Sequence, residues 1–446
     1  MKVALFALAF ACACLLALAW PAVGVFAYMA NYIVTPAFYW WGEIIQGYGV
    51  RFSLFLAVAT AGGLILQWSK LRDLHRHGLM SSQEWLIVAF VIIVLLTRLW
   101  GLPIDHSLRD LSGVSETPAE KMVKVAFFVL MMTHILVRYR DATVAYWFLV
   151  IVGGMYLGID AYLAPENRYV HGRLNLLGGT DFRESSTVGA HLAFVATLAG
   201  LLFLKSQRWW HKVALIVAGA FTINAIILTQ TRAAMLALLA GGISAPLLAM
   251  KGQRQRVCKY LVLGALCGLA LVNKEFWTRA ETMTVGADEL DDSAASRLDL
   301  WLAGLEMFRD HPLGVGAGSF YTAVGSYDSR YAGRDCHNTY IRCAAELGVP
   351  GILIFLALIV NAFLMLRRIP LLALGTAIEK DLRWDCFGLQ VAFVVYLTAG
   401  FFMGLTYLEE FWWFICLPVC LERAARNTWT AQQELMKPVH AAGVAA

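Results

Sequence analysis

Apolar runs long enough to cross a bilayer alternate along the chain with short polar segments. They fall near 3–27, 50–68, 84–101, 122–137, 142–163, 186–204, 211–230, 233–250, 256–272, 339–366, 385–407 and 410–425. The pattern predicts an all-α helical bundle of about twelve transmembrane helices, a single integral membrane domain over 1–446. One long polar stretch, 273–338, separates the ninth run from the tenth. Within it, Leu298, Trp301, Leu302, Leu305 and Phe308 recur at helical spacing. Ser296 and Asp299 offer a capping box, and His311-Pro312 offers a stop. The spacing predicts an amphipathic helix over 296–309, which either lies in the membrane interface over a cleft or packs as part of an extramembrane cap. The first run starts with Lys2 but is too long for a signal peptide, and reads as a retained anchor.

Composition sharpens this picture. Of the 446 residues, 59% are hydrophobic and 15% charged. Such a chain cannot coat a soluble surface, which excludes an ordinary soluble enzyme, a disordered chain and a nucleic-acid binder. The net charge of +5 then reports orientation rather than a polyanionic partner. Short loops carry dense basic groups: Lys70, Arg72 and Arg76; Arg138 and Arg140; Lys205, Arg208 and Lys212; Lys251, Arg254, Arg256 and Lys259. The positive-inside rule puts these loops and both termini in the cytoplasm, and puts 273–338 outside. Nine cysteines show no C-x-x-C and no metal-ligand spacing.

Charged or titratable groups inside the runs are few, chiefly His134, Asp160 and His191. That scarcity argues against an ion-coupled transporter, which relays charge through intramembrane carboxylates. Polar chemistry gathers instead on the outer side. Arg232 opens an apolar run inside the turn Thr229-Gln230-Thr231-Arg232, where a basic residue is disfavoured by topology. The outer segment 164–185 carries Arg168, Arg173 and Arg183. His337 stands at the outer entrance of the tenth run, where a neutral imidazole can take a proton from a hydroxyl. Asn338 follows it, and then Glu346-x-Gly348-x-x-Gly351. Cys336 and Cys343 could pair in an oxidising compartment. Gly314-Val315-Gly316-Ala317-Gly318-Ser319 resembles a phosphate loop, but it lacks the strand and the Lys-Ser/Thr that such loops need, and reads as a tight turn. The acidic run Asp288-Glu289-Leu290-Asp291-Asp292 reads as solvent-facing rather than metal-binding.

His337-Asn338, nine residues, then Gly348-Val349-Pro350-Gly351 resembles the signature of the bacterial O-antigen ligase superfamily. So do Thr231-Arg232-Ala233-Ala234 at the start of a span and the stretch from Trp301 through Asp310-His311-Pro312 to Phe320. Arg173-Leu174 through Ser186 resembles the arginine-containing region before a middle span, and leaves either Arg173 or Arg183 in that role. The resemblance covers about 165–365. It implies an inner-membrane glycosyltransferase that takes a glycan from undecaprenyl pyrophosphate and moves it to an acceptor hydroxyl, in ligases a sugar of the lipid A core, at the periplasmic face. It implies His337 as base, and Arg232 with Arg173 or Arg183 on the pyrophosphate. Arg342, about one and a half turns past His337, joins them as a pyrophosphate ligand. Asn338, Glu346, Gly348 and Gly351 support the motif, with Glu346 organising the helix or an arginine. In-line attack implies inversion, with neither metal nor cofactor. The same signature accommodates an O-antigen or exopolysaccharide polymerase and a protein O-oligosaccharyltransferase. From another class, a flippase for the lipid-linked glycan handles the same lipid.

Overall fold

The computed structural model describes residues 2–36, 42, 50–104, 116–170, 172–175, 177–182, 184–269 and 292–436. The acidic run at 288–291 and Arg183 lie outside the described residues. The first elements are α1 (Lys2–Ala19), α2 (Pro21–Ile33), α3 (Phe52–Leu66), α4 (Ser82–Leu96), α5 (Pro118–Ile135) and α6 (Tyr139–Tyr162). A two-stranded hairpin follows, β1 (Tyr169–Val170) and β2 (Arg173–Leu174), and then α7 (Ser185–Lys205), α8 (Trp209–Thr229), α9 (Arg232–Leu248) and α10 (Arg254–Leu269). The remainder holds α11 (Asp292–Asp310), α12 (Phe320–Tyr327), α13 (Thr339–Leu372), α14 (Glu379–Ala399) and α15 (Glu409–Met436).

Each of the twelve expected stretches coincides with helix, but not always as one rod. The first divides at Trp20, because Pro21 at the start of α2 cannot donate to the preceding turn. Among the described residues five helices are long and apolar enough to cross a membrane, namely α1, α6, α7, α8 and α13. A sixth counts if α3 and the bent segment Trp68–His75 form one span. The others are shorter, as α4 and α9 are, or more charged.

The core forms around α7, which packs against α6, α8, α9 and α14, while α13 packs against α4, α11 and α15. Small residues allow close approach at these crossings, and Trp412, Trp413, Phe194 and Phe414 fill the space between. Inside α6 the stretch Leu149–Tyr156 widens into a π-helix. Its Gly153 carbonyl accepts from His191 Nε2 at 3.0 Å, and His191 Nδ1 meets Glu410 Oε2 at 2.5 Å. Glu410 Oε1 also accepts from the Tyr396 hydroxyl at 2.5 Å. These buried groups bind α6, α7, α14 and α15 together. Other polar groups buried near helix ends are likewise matched: Asp385 accepts from Lys205 at 2.8 Å, and Glu84 accepts from Arg423 at 2.8 Å.

The amphipathic helix is longer than expected. It starts at Asp292, so Ser296 lies within it and is not its cap, and Asp299 instead accepts from Tyr331 at 2.8 Å. Its orientation is also informative. Leu300, Ala303 and Met307 face inward onto a small separate core with Val315, Phe320 and Cys336. Leu298, Leu302 and Leu305 face outward, each about half exposed.

Candidate functional site

The chain is pinned on both sides of His337. Asn338 caps α13, its Oδ1 accepting from the backbone N–H groups of Tyr340 and Ile341 at 3.0 and 3.1 Å. The Cys336 carbonyl accepts from Trp301 Nε1 at 2.9 Å. Between these anchors His337 adopts a left-handed backbone, φ 47°. A histidine, unbranched at Cβ, tolerates that region, though it is uncommon for any residue but glycine. Burial by itself raises the Asp335 carboxyl, yet the Arg342 guanidinium beside it holds it below the ordinary aspartate range. Burial and the Asp335 charge push the Cys336 thiol up. Cys336 and Cys343 are both buried and unbridged.

The Glu-x-Gly-x-x-Gly signature marks a break in α13. Gly348 takes φ 64° and ψ −163°, a conformation open essentially to glycine alone. The break frees carbonyls, and the loop after α11 captures them. Val315 N donates to Ala345 O at 2.9 Å and Gly316 N to Glu346 O at 3.0 Å, while Val349 N donates back to Pro312 O at 2.8 Å. Glu346 Oε1 accepts from Phe320 N at 3.3 Å. The 314–318 run is thus a loop of three left-handed glycines docked on a helix break. Gly351 permits the next turn, since a Cβ there would stand 2.1 Å from Leu347 Cβ.

Three other segments arrive at the same place. Gln230 closes α8 in a left-handed conformation, φ 48°, and releases the chain into Thr231 and Arg232 at the start of α9. Arg173 sits on β2, next to a turn in which Asn175 Oδ1 accepts from Ser185 N at 2.9 Å and ties the hairpin to α7. Arg297 comes from the first turns of α11.

These segments enclose a cavity of about 260 Å³. Arg173, Arg232, Arg297 and His337 all line it, with Glu184 as the acidic member. Its wall includes both non-glycine residues that take left-handed backbone among the described residues, Gln230 and His337. Strained backbone concentrates where side chains must be aimed. The Arg173 Nε is buried with no hydrogen-bond partner among the described residues, an arrangement suited to an incoming acceptor. Beside the cavity lies a purely apolar groove of about 520 Å³, lined by Leu236, Leu239 and Ile243 of α9, Trp301 of α11, and Phe401 and Phe402. Phe402 belongs to both spaces.

Of the residues expected from sequence, the structure brings Arg173, Arg232 and His337 together at one cavity. Arg342 is not among the lining residues; its guanidinium faces Asp335 and Glu346 at 3.2 Å each. Asn338, Glu346, Gly348 and Gly351 shape the surrounding backbone. Arg297 is the residue that sequence reasoning missed. The only available signal was its place one turn before Trp301, on the helix that approaches His337. Among the described residues no group of three or more His, Cys, Asp or Glu is arranged to hold a metal ion.

Helices of this length and apolarity are consistent with an all-α membrane protein, and the cavity gathers three arginines and one histidine. Residues 217–356, about a third of the chain, match the family model for O-antigen ligase, which supports a likeness to that superfamily over this segment. The matched segment contains Arg232, Arg297 and His337, while Arg173 lies before it. No curated protein matches the chain.

Proposed function

We propose that the protein is a glycosyltransferase of the inner membrane. It moves a glycan from a polyprenyl pyrophosphate, undecaprenyl pyrophosphate in bacteria, to an acceptor hydroxyl such as a lipid A-core sugar. Twelve spans, an outward face for 273–338 and cytoplasmic termini belong to this proposal, as the loop charges suggest. The observation that carries it is the meeting of His337 with Arg173, Arg232 and Arg297 around one cavity. Three guanidinium groups match a pyrophosphate, whose oxygens accept paired N–H donors. The adjoining apolar groove fits a lipid tail, and the two spaces meet at Phe402.

In this reading His337 accepts the proton of the acceptor hydroxyl as its oxygen attacks the anomeric carbon. The bond from that carbon to the pyrophosphate breaks from the opposite side, so the configuration inverts. The arginines stabilise the charge that gathers on the departing pyrophosphate. The decisive experiment is transfer in vitro from a defined lipid-linked donor to candidate acceptors. His337→Ala and Arg232→Ala should each abolish transfer while membrane expression persists, and full activity in both would remove this site from consideration. Glycan analysis of a deletion strain separates the related reactions. Free lipid-linked polymer with bare lipid A-core marks a ligase, whereas accumulated single repeat units mark a polymerase.

A further inference from the structure

We infer that Arg342 is a positioning residue, which clamps Asp335 to α13 and thereby sets the backbone of His337, and is not a ligand of the phosphates. The inference rests on His337 being the base. Arg342 Nη1 donates to Asp335 Oδ2 at 3.2 Å, and its Nε donates to Glu346 Oε1 at 3.2 Å. The guanidinium is flanked by the rings of Tyr321 and Tyr407, with centroids at 5.1 and 5.4 Å. Its side chain is 12% exposed, and those of its carboxylate partners are 14% and 0%. A phosphate would have to displace a buried carboxylate to reach it, and that leaves a buried charge uncompensated.

The placement of the two partners gives the clamp its purpose. Asp335 is two residues before His337, and Glu346 is two residues before the Gly348 break. Glu346 also holds Phe320 N at the start of α12. One guanidinium therefore joins the segment that enters His337, the first turns of α13 and the loop docked on its break. Gly404 makes room for the pair, since a Cβ there would stand 3.3 Å from Arg342 Nη1 and 3.7 Å from Asp335 Oδ2. A left-handed histidine persists only where its neighbours over-determine it. Asp335 supplies the upstream restraint, and the Asn338 cap supplies the downstream one.

The test uses the full chain in lipid nanodiscs, with two separate readouts: binding of undecaprenyl pyrophosphate alone, and steady-state transfer. Arg342→Gln should lower kcat by about 10- to 100-fold, because a misplaced base loses alignment, while binding of the pyrophosphate lipid changes by about twofold or less. Asp335→Asn should reproduce the loss in kcat, and the double variant should be no worse than the weaker single one. Arg342→Lys, which keeps the charge but not the fork, should recover part of the rate. Arg232→Ala serves as the contrast and should weaken lipid binding. The inference is overturned if Arg342→Gln weakens lipid binding as much as Arg232→Ala does, or if the Arg342 and Asp335 losses multiply. Should Arg342→Gln fail to fold, Asp335→Asn and Arg342→Lys carry the same comparison. Unchanged lipid binding and transfer in Arg232→Ala and His337→Ala would instead defeat the proposed function.

Discussion

Gly348→Ala tests whether the helix break in α13 holds the site together. The added Cβ would sit 2.3 Å from Pro312 O, 2.4 Å from Leu313 C and 2.6 Å from Gly314 N, all backbone atoms that cannot swing aside. Alanine also disfavours φ 64° with ψ −163°, a strain of about 1–3 kcal/mol. If the loop lifts to relieve the clash, the bonds Val315 N to Ala345 O, Gly316 N to Glu346 O and Val349 N to Pro312 O go with it, each worth about 1 kcal/mol. The combined loss is about 4–6 kcal/mol. The assay is reversible unfolding of the purified protein in mixed micelles, read alongside transfer activity. Gly200→Ala on α7 is the control, since a Cβ added there would meet nothing within 4 Å, and alanine should gain up to about 1 kcal/mol. The reasoning is refuted if Gly348→Ala unfolds within about 1 kcal/mol of the parent and transfers at the parental rate.

Asn338→Ala should destabilise the start of α13 by about 1 kcal/mol and lower transfer, whereas Asn338→Asp should keep the cap; circular dichroism melts with a transfer assay check both. Glu410→Ala should destabilise by about 3–5 kcal/mol, because it strands His191 and the Tyr396 hydroxyl in the core. Equal losses in His191→Ala and in the Glu410/His191 double variant would show that the two act as one unit. Ala240 of α9 also lines the apolar groove, so Ala240→Trp should fill it and raise KM for a long polyprenyl donor by about tenfold, equivalent to about 1.4 kcal/mol, while a short-chain donor is unaffected. Equal effects on both donors would place the tail elsewhere.

Most of the helical framework was legible because apolar runs of membrane length leave few other options. The errors have physical causes. The run 3–27 is apolar throughout, so periodicity alone hides the interruption that Pro21 imposes. In the amphipathic helix, Leu298, Leu302 and Leu305 follow the spacing of a buried face, yet they point outward. A bilayer welcomes leucine on the outside, and the inner face needs only Leu300, Ala303 and Met307 to pack. His337, Arg232 and Arg173 could be picked out because polar groups at the rims of apolar runs are few. Arg297 could not, because an arginine on a polar helix face looks like any solvated charge. Arg342 was legible as a neighbour of His337 on α13. Only the fold shows that Asp335 and Glu346 reach it from two sides.

The single shared ring of Phe402 has an evolutionary corollary. The groove on one side of it is apolar and offers nothing that could distinguish one isoprenoid carrier from another except by length and bulk. Arg173, Arg232, Arg297, Glu184 and His337 all line the other space. On the proposed function, the walls of that second space other than His337 and the arginines can drift to accommodate a new glycan while the apolar seat stays as it is. Under that proposal, such a division would let one membrane scaffold diversify its cargo and keep a common lipid carrier.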